Sequence, residues 1–145
     1  MDGTAGPLTR DAGLPQVERI TANGELAALV IRAGSKGDGA QFVTPDDATL
    51  QVGILSHRAG TDVGRHVHLP LERQVTGTAE VLIVQSGYCA VDIYDGEDLV
   101  ATRELGPSDI AVLCRGGHNL RVLEDTVLVE VKQGPYLGMT EKVRY

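Results

Sequence analysis

The chain has 145 residues, of which 42% are hydrophobic, and its 13 Lys and Arg against 20 Asp and Glu give a formal net charge of −7. This length fits one domain with a sizeable core, and the hydrophobic content excludes wholesale disorder. An acidic chain with only 3% aromatic residues lacks the positive field and the stacking rings that nucleic-acid binding uses, so we exclude nucleic acid as a partner.

The chain carries no sign of a membrane or secretory destination. No apolar stretch approaches the ~20 residues of a membrane-spanning helix, and the first residues lack the basic and apolar regions of a signal peptide. We therefore expect a cytoplasmic protein without a membrane partner. In that reducing compartment Cys89 and Cys114 are expected to be free thiols.

Short apolar or alternating segments follow one another along the chain. Residues 1–20 begin with a glycine- and proline-rich stretch and are predicted to form a flexible arm. Residues 133–145 are predicted to be an irregular tail packed on the domain. Between them, strands are predicted near residues 26–31, 50–54, 81–84, 88–94, 99–105, 110–113 and 127–131.

The pattern predicts an all-β domain over residues 21–132. No window of about a dozen residues shows a convincing period of 3.6, whereas turn signals such as Asp95-Gly96 and Gly106–Asp109 separate the short segments. Such a pattern favours a single antiparallel sandwich or barrel. A barrel can hold a small ligand among its inward-pointing side chains.

The histidines are the most informative residues of the chain. His66 and His68 are two positions apart, so on a strand both rings point to the same face. Two imidazoles on one face can bind a divalent ion if neighbouring strands add ligands, and the candidates are Glu72, Glu80 and His118. Such a set suits Fe, Mn, Ni or Zn, and the sequence does not choose among them. A histidine pair at this spacing is also common as a surface or core feature without a metal.

The residues around this pair resemble the first motif of the cupin superfamily. Five residues separate Gly60 from His66, and six separate Glu80 from Gly87, as in the cupin pattern of glycine, His-x-His, glutamate and glycine. The resemblance covers about residues 50–132 and implies a single-domain antiparallel β-barrel or jelly roll. It also implies a metal ion at the centre, bound by His66, His68, Glu80 and His118.

The second cupin motif and the glutamate match less closely. The turn at Gly106–Asp109, followed by Gly117 and His118, resembles the second motif. Cupins usually place the glutamate four or five residues after the second histidine, and Glu72 has that spacing, but a glycine does not follow it at the expected distance. We favour Glu80, with Glu72 as the alternative. This choice requires a long loop over residues 69–79.

Two further residues are candidates for a catalytic role. Arg115 lies near the proposed ligand His118, as Arg65 and Arg73 lie near the others, and an arginine can bind a carboxylate or phosphate bidentately. Tyr94 carries a phenol that can act as an acid, a base or an orienting group. The alternatives are surface arginines that balance the acidic residues and a tyrosine packed in the core.

We expect a metal-dependent small-molecule enzyme of the cupin type, an oxygenase, isomerase or lyase, acting on a small, anionic, oxygen-rich substrate. One alternative is a non-catalytic cupin that binds or senses a small ligand. Another is a metal-free cupin, similar to sugar epimerases and dehydratases, with His118 or a tyrosine as general base. Cupins commonly dimerise, so we expect a homodimer. The substrate and the reaction class stay open.

Overall fold

The computed structural model describes residues 16–145. In this part of the chain it has ten β-strands and a single 3-10 turn. The strands are β1 (Val17–Ala22), β2 (Glu25–Ile31), β3 (Gly39–Phe42), β4 (Gly53–Ser56), β5 (Glu80–Ser86), β6 (Cys89–Asp95), β7 (Asp98–Leu105), β8 (Ile110–Leu113), β9 (Gly117–Val122) and β10 (Val127–Lys132).

The described strands form three hydrogen-bonded sheets in which every pair is antiparallel. The largest sheet has the order β1-β2-β8-β5-β10, a second has the order β7-β6-β9, and β3 pairs with β4 alone. The predicted all-β antiparallel class is therefore confirmed. Closure of these sheets into a barrel or jelly roll stays a prediction.

The five-stranded sheet has an apolar cluster on each face. One cluster joins its residues Leu82 and Val84 to Val91, Ile93 and Leu105 of the three-stranded sheet, so these two sheets pack face to face. Alternation along β5 turns Glu80 to the same face as Leu82 and Val84. The second cluster covers the opposite face and includes residues of the β3–β4 region.

A charged contact also joins the two larger sheets. The Arg103 guanidinium on β7 donates a hydrogen bond from Nε to Oε1 of Glu18 on β1, at 2.6 Å. This contact lowers the pKa of the Glu18 carboxyl. The placement of the three-stranded sheet against the five-stranded sheet thus has a polar as well as an apolar component.

The ends of the domain differ in detail from the prediction. β1 begins at Val17, before the expected domain start at residue 21, and the remaining predicted arm, residues 1–15, lies outside the described residues. Residues 133–145 contain only the 3-10 turn Gly138–Glu141. Among residues 16–145 no helix is long and apolar enough to cross a membrane.

His66 and His68 do not lie on a strand, because residues 57–79 contain none. Gly60 and Gly64 adopt φ values of +85° and +82°, which belong to turns and not to extended backbone. The Asp62 carboxylate accepts a hydrogen bond from the Gly64 amide at 2.8 Å and closes one of these turns. Residues 57–78 are exposed throughout, and we call 57–79 the exposed segment.

Candidate functional site

Glu80 and His118 meet where the two larger sheets face each other. Glu80 is the first residue of β5, paired with Leu113 of β8 and Lys132 of β10. His118 lies on β9, opposite Ile93 of β6, and therefore shares the inward face of its sheet. The Glu80 Oε2 and His118 Nε2 atoms are 3.1 Å apart, within ion-pair distance. Two residues from different sheets thus form one carboxylate–imidazole pair.

The pair joins a buried group to a partly exposed one. Glu80 is only 7% exposed, whereas the side chain of His118 is 36% exposed. A buried carboxylate is unfavourable unless polar groups compensate for its lost hydration, and His118 is the partner in reach. The geometry gives the imidazole a carboxylate on one side and solvent on the other, which is the arrangement of an oriented acid–base group.

The other predicted metal ligands lie in the exposed segment. The rings of His66 and His68 are 5.3 Å apart between centroids, in an edge-to-face arrangement, and His66 Nδ1 lies 3.0 Å from the Gly64 carbonyl oxygen. Glu72 is also exposed. The structure therefore brings Glu80 and His118 together but leaves His66 and His68 in the exposed segment.

A metal ion does not fit the arrangement as it stands. The carboxylate of Glu80 and the imidazole of His118 are suitable donor types, but a structural or catalytic site needs at least three protein ligands. Among residues 16–145, no three His, Cys, Asp or Glu side chains group together in a way that could hold a metal. The four-residue ligand set stays a prediction.

A cavity of about 720 Å³ opens beside the pair. Glu80, Leu113, His118 and Leu120 line its inner part, and residues 141–145 form its outer wall. A second cavity, of about 640 Å³, lies beside Tyr94 and is bounded by the same end of the chain. The larger cavity has the size of a small-molecule site.

Arg115 lies at the larger cavity but already has a partner. Its guanidinium forms an ion pair with the carboxylate of Glu25 at the start of β2. Arg65 and Arg73 lie in the exposed segment, away from the strands. Of the three arginines that were candidates for binding an anionic substrate, Arg115 is therefore already paired, and Arg65 and Arg73 do not line the cavity.

Tyr88 immediately precedes β6, and Tyr94 lies on that strand. Strand alternation turns Tyr94 to the face opposite Ile93 and His118, where it lines the smaller cavity. The Tyr88 hydroxyl donates a hydrogen bond to Glu104 at 2.6 Å, and this bond raises the pKa of the phenol. His118 lines the smaller cavity as well, so a ligand in it would lie beside both Tyr94 and the imidazole of the pair.

Both cysteines are free thiols in the structure, as predicted. Cys89 is buried between the two larger sheets, and Cys114 packs against the cluster on the opposite face of the five-stranded sheet. Burial raises the pKa of both thiols. Cys114 therefore points away from the face that carries Glu80.

The contribution of Lys142, Arg144 and Tyr145 to the cavity wall was not predicted from the sequence. These residues were included in an irregular tail. The available signal was the concentration of two basic residues and a tyrosine in the last four positions. Nothing in that short pattern shows which strand the segment contacts.

The chain matches no protein-family model, no curated protein and no solved structure.

Proposed function

We propose that the protein is an enzyme of the cupin type that acts on a small, anionic, oxygen-rich molecule in the cavity beside Glu80 and His118. The proposal includes closure of the antiparallel sheets into a jelly roll. The observation that carries it is the 3.1 Å contact between Glu80 Oε2 and His118 Nε2. The cupin resemblance implies the same two residues as ligands.

The surroundings of the pair support a small-molecule site. Leu113 and Leu120 give the cavity an apolar wall, and the pair contributes the convergent polar groups. The cavity is open to solvent and its lining is more polar than apolar, which suits a polar ligand. The cavity volume of about 720 Å³ leaves room for a small ligand beside the two side chains.

The metal-dependent form of the proposal requires the exposed segment to move. His66 and His68 would have to approach Glu80 and His118, and β9 has a free edge because it pairs only with β6 in the described chain. A divalent ion bound by these four residues would supply a Lewis acid to a carbonyl or carboxylate oxygen of the ligand. Val67, Leu69 and Leu71 would be buried by the same movement.

A second candidate function uses the pair without a metal. Glu80 would fix the orientation of the His118 ring, and the imidazole would take a proton from the ligand or return one to it. The observed geometry favours this form directly, since the pair is already formed and no third ligand is near it among residues 16–145. Here the two side chains supply all of the acid–base chemistry.

The experiment that separates the two forms is a metal measurement. The full chain, purified without a histidine tag, is reconstituted in turn with Mn²⁺, Fe²⁺, Ni²⁺ and Zn²⁺ and its metal content is measured by mass spectrometry. We expect about one equivalent for the wild type and a loss of most of it in Glu80→Gln and in the double variant His66→Ala/His68→Ala.

Glu72→Gln is the matched control, because it removes a carboxylate from the exposed segment and should leave the metal content unchanged. Less than about a tenth of an equivalent in the wild type would overturn the metal-dependent form. Unchanged content in Glu80→Gln, or a loss in Glu72→Gln, would overturn the choice of Glu80 as ligand.

A further inference from the structure

The last residues of the chain are exposed and line the larger cavity. Glu141 lies 3.9 Å from Lys132 of β10, between Oε1 and Nζ, and this contact attaches the 3-10 turn to the five-stranded sheet. At the other end of the segment, Tyr145 lies against Gly117, the first residue of β9. The segment between these contacts therefore crosses from one sheet to the other beside the larger cavity.

Gly117 provides the seat for Tyr145. A Cβ atom at position 117 would collide with the Tyr145 hydroxyl oxygen, and its next neighbours would be Tyr145 Cζ at 3.1 Å and Tyr94 Cβ at 3.4 Å. Gly117 does not have a positive φ, so the backbone itself does not require glycine. The lack of a side chain at Gly117 leaves room for the phenol ring of Tyr145.

The cavity wall carries two cations without ion-pair partners. Of the charged residues that line the larger cavity, Glu80, Arg115 and Glu141 have partners in His118, Glu25 and Lys132. Lys142 and Arg144 line it too, and neither forms an ion pair with any residue of the described range 16–145. Two unpaired cations at one cavity in a chain of net charge −7 favour an anionic ligand.

We infer that Lys142 and Arg144 are the anion-binding residues of the cavity, that they recognise a carboxylate or phosphate group of the ligand, and that Tyr145 on its Gly117 seat holds them in place. This inference rests on the proposed function, because it names the group by which the same cavity selects its substrate. Arg144 can bind two oxygens of one anion in parallel, and Lys142 adds a point charge. The anion lies at the outer wall, and the rest of the ligand extends toward His118.

The test is anion binding by calorimetry, with malonate and inorganic phosphate as probes and the full chain as the protein. We expect at least one of the two probes to bind the wild type, and the double variant Lys142→Ala/Arg144→Ala to bind it at least about tenfold more weakly. Tighter binding of malonate would show that the cavity prefers a ligand with a planar carboxylate. Tighter binding of phosphate would show that it prefers a tetrahedral anion. Lys36→Ala/Arg58→Ala is the control, since it removes the same charge at exposed positions away from the cavity and should bind as the wild type does.

Gly117→Ala tests the seat separately. The added methyl group displaces Tyr145, and we expect weaker malonate binding with little change in the unfolding midpoint. Three results would overturn the inference. They are equal anion binding by the wild type and Lys142→Ala/Arg144→Ala, an equal loss of anion binding in the Lys36→Ala/Arg58→Ala control, and no anion binding by the wild type. Metal uptake by Lys142→Ala/Arg144→Ala is measured in parallel and should be normal, so failure of the anion site and failure of the metal site give different results.

Discussion

The Glu80 carboxylate contacts the His118 imidazole across two separate sheets, with 3.1 Å between Oε2 and Nε2. Each side chain is placed by the register of its own sheet, Glu80 opposite Leu113 and His118 opposite Ile93. Their meeting therefore depends on how the two sheets pack and not on local sequence. Burial takes the Glu80 carboxylate out of water at a cost in stability, which the contact with His118 offsets in part.

The first prediction concerns that cost. We expect Glu80→Leu to leave the free energy of unfolding unchanged or to raise it by about 1 kcal/mol, because a leucine there packs against apolar neighbours and the His118 ring still reaches solvent. Chemical denaturation measures this change. Glu72→Leu is the control at an exposed position and should have little effect. A loss of more than about 1 kcal/mol in Glu80→Leu would show that the pair stabilises the fold.

The second prediction concerns the exposed segment. Val67, which is 81% exposed, and its apolar neighbours Leu69 and Leu71 have no packing partner in the described chain, so amides near them should exchange rapidly with solvent. If the segment carries His66 and His68 to the site, Mn²⁺ or Zn²⁺ should slow hydrogen exchange over residues 63–71 at least about tenfold.

The double variant His66→Ala/His68→Ala controls for non-specific effects of the metal and should show no slowing. Peptides from β6 should exchange slowly with and without metal, since both edges of that strand are paired. Metal binding to the wild type without any slowing over residues 63–71 would contradict the proposed movement.

The strands that could be predicted from sequence are those with strong apolar character. β5 and β8 form the centre of the five-stranded sheet and contain nearly continuous apolar residues, which local pattern recognises. β9 was not predicted, because its inward face begins with His118 and its outward face holds Gly117, Asn119 and Arg121. A strand with so much polar character is defined by its partner β6 and not by its own composition.

In the candidate site, too, only a residue within a strong local pattern could be predicted from sequence. Glu80 could be chosen because it begins an apolar run at the spacing expected before Gly87, and the structure indeed turns it toward the other sheet. The placement of His66 and His68 could not be derived, because the alternation around them is equally compatible with a strand and with an exposed loop. The contribution of Lys142 and Arg144 depends on contacts with distant strands, which short-range pattern does not report.

The third prediction concerns Gly87, a glycine of the first motif. It has a φ of +88°, and a Cβ there would collide with backbone atoms of Asp125 and Thr126. Because neither the conformation nor the neighbouring backbone can adapt cheaply, Gly87→Ala should lower the free energy of unfolding by about 2 kcal/mol or more. Gly117→Ala is the matched comparison, since only the end of a flexible side chain must move there, and a similar loss in both variants would refute this difference.

The last prediction concerns pH and a buried carboxylate on the outer face of β6. Asp92 is 4% exposed and accepts hydrogen bonds from Arg121 Nε at 2.8 Å, Arg121 Nη2 at 2.9 Å and the Thr102 hydroxyl at 2.7 Å. These donors, with the Arg121 bond as the largest cause, lower the pKa of Asp92 from 3.8 to about 2. Because the folded-state pKa lies below the unfolded value, this carboxylate stabilises the fold above about pH 4.

That stabilisation should disappear as the pH falls from about 4 to about 2, when the folded protein also takes up the proton. Its size at neutral pH is on the order of 1–2 kcal/mol, since the partly exposed Arg121 is screened by solvent. Asp92→Asn should therefore be less stable than the wild type by this amount at pH 7, and the difference should shrink toward zero near pH 2 in denaturant titrations. Asp38→Asn, at an exposed position, should follow the wild-type curve, and parallel curves for Asp92→Asn and the wild type down to pH 2 would contradict the assignment.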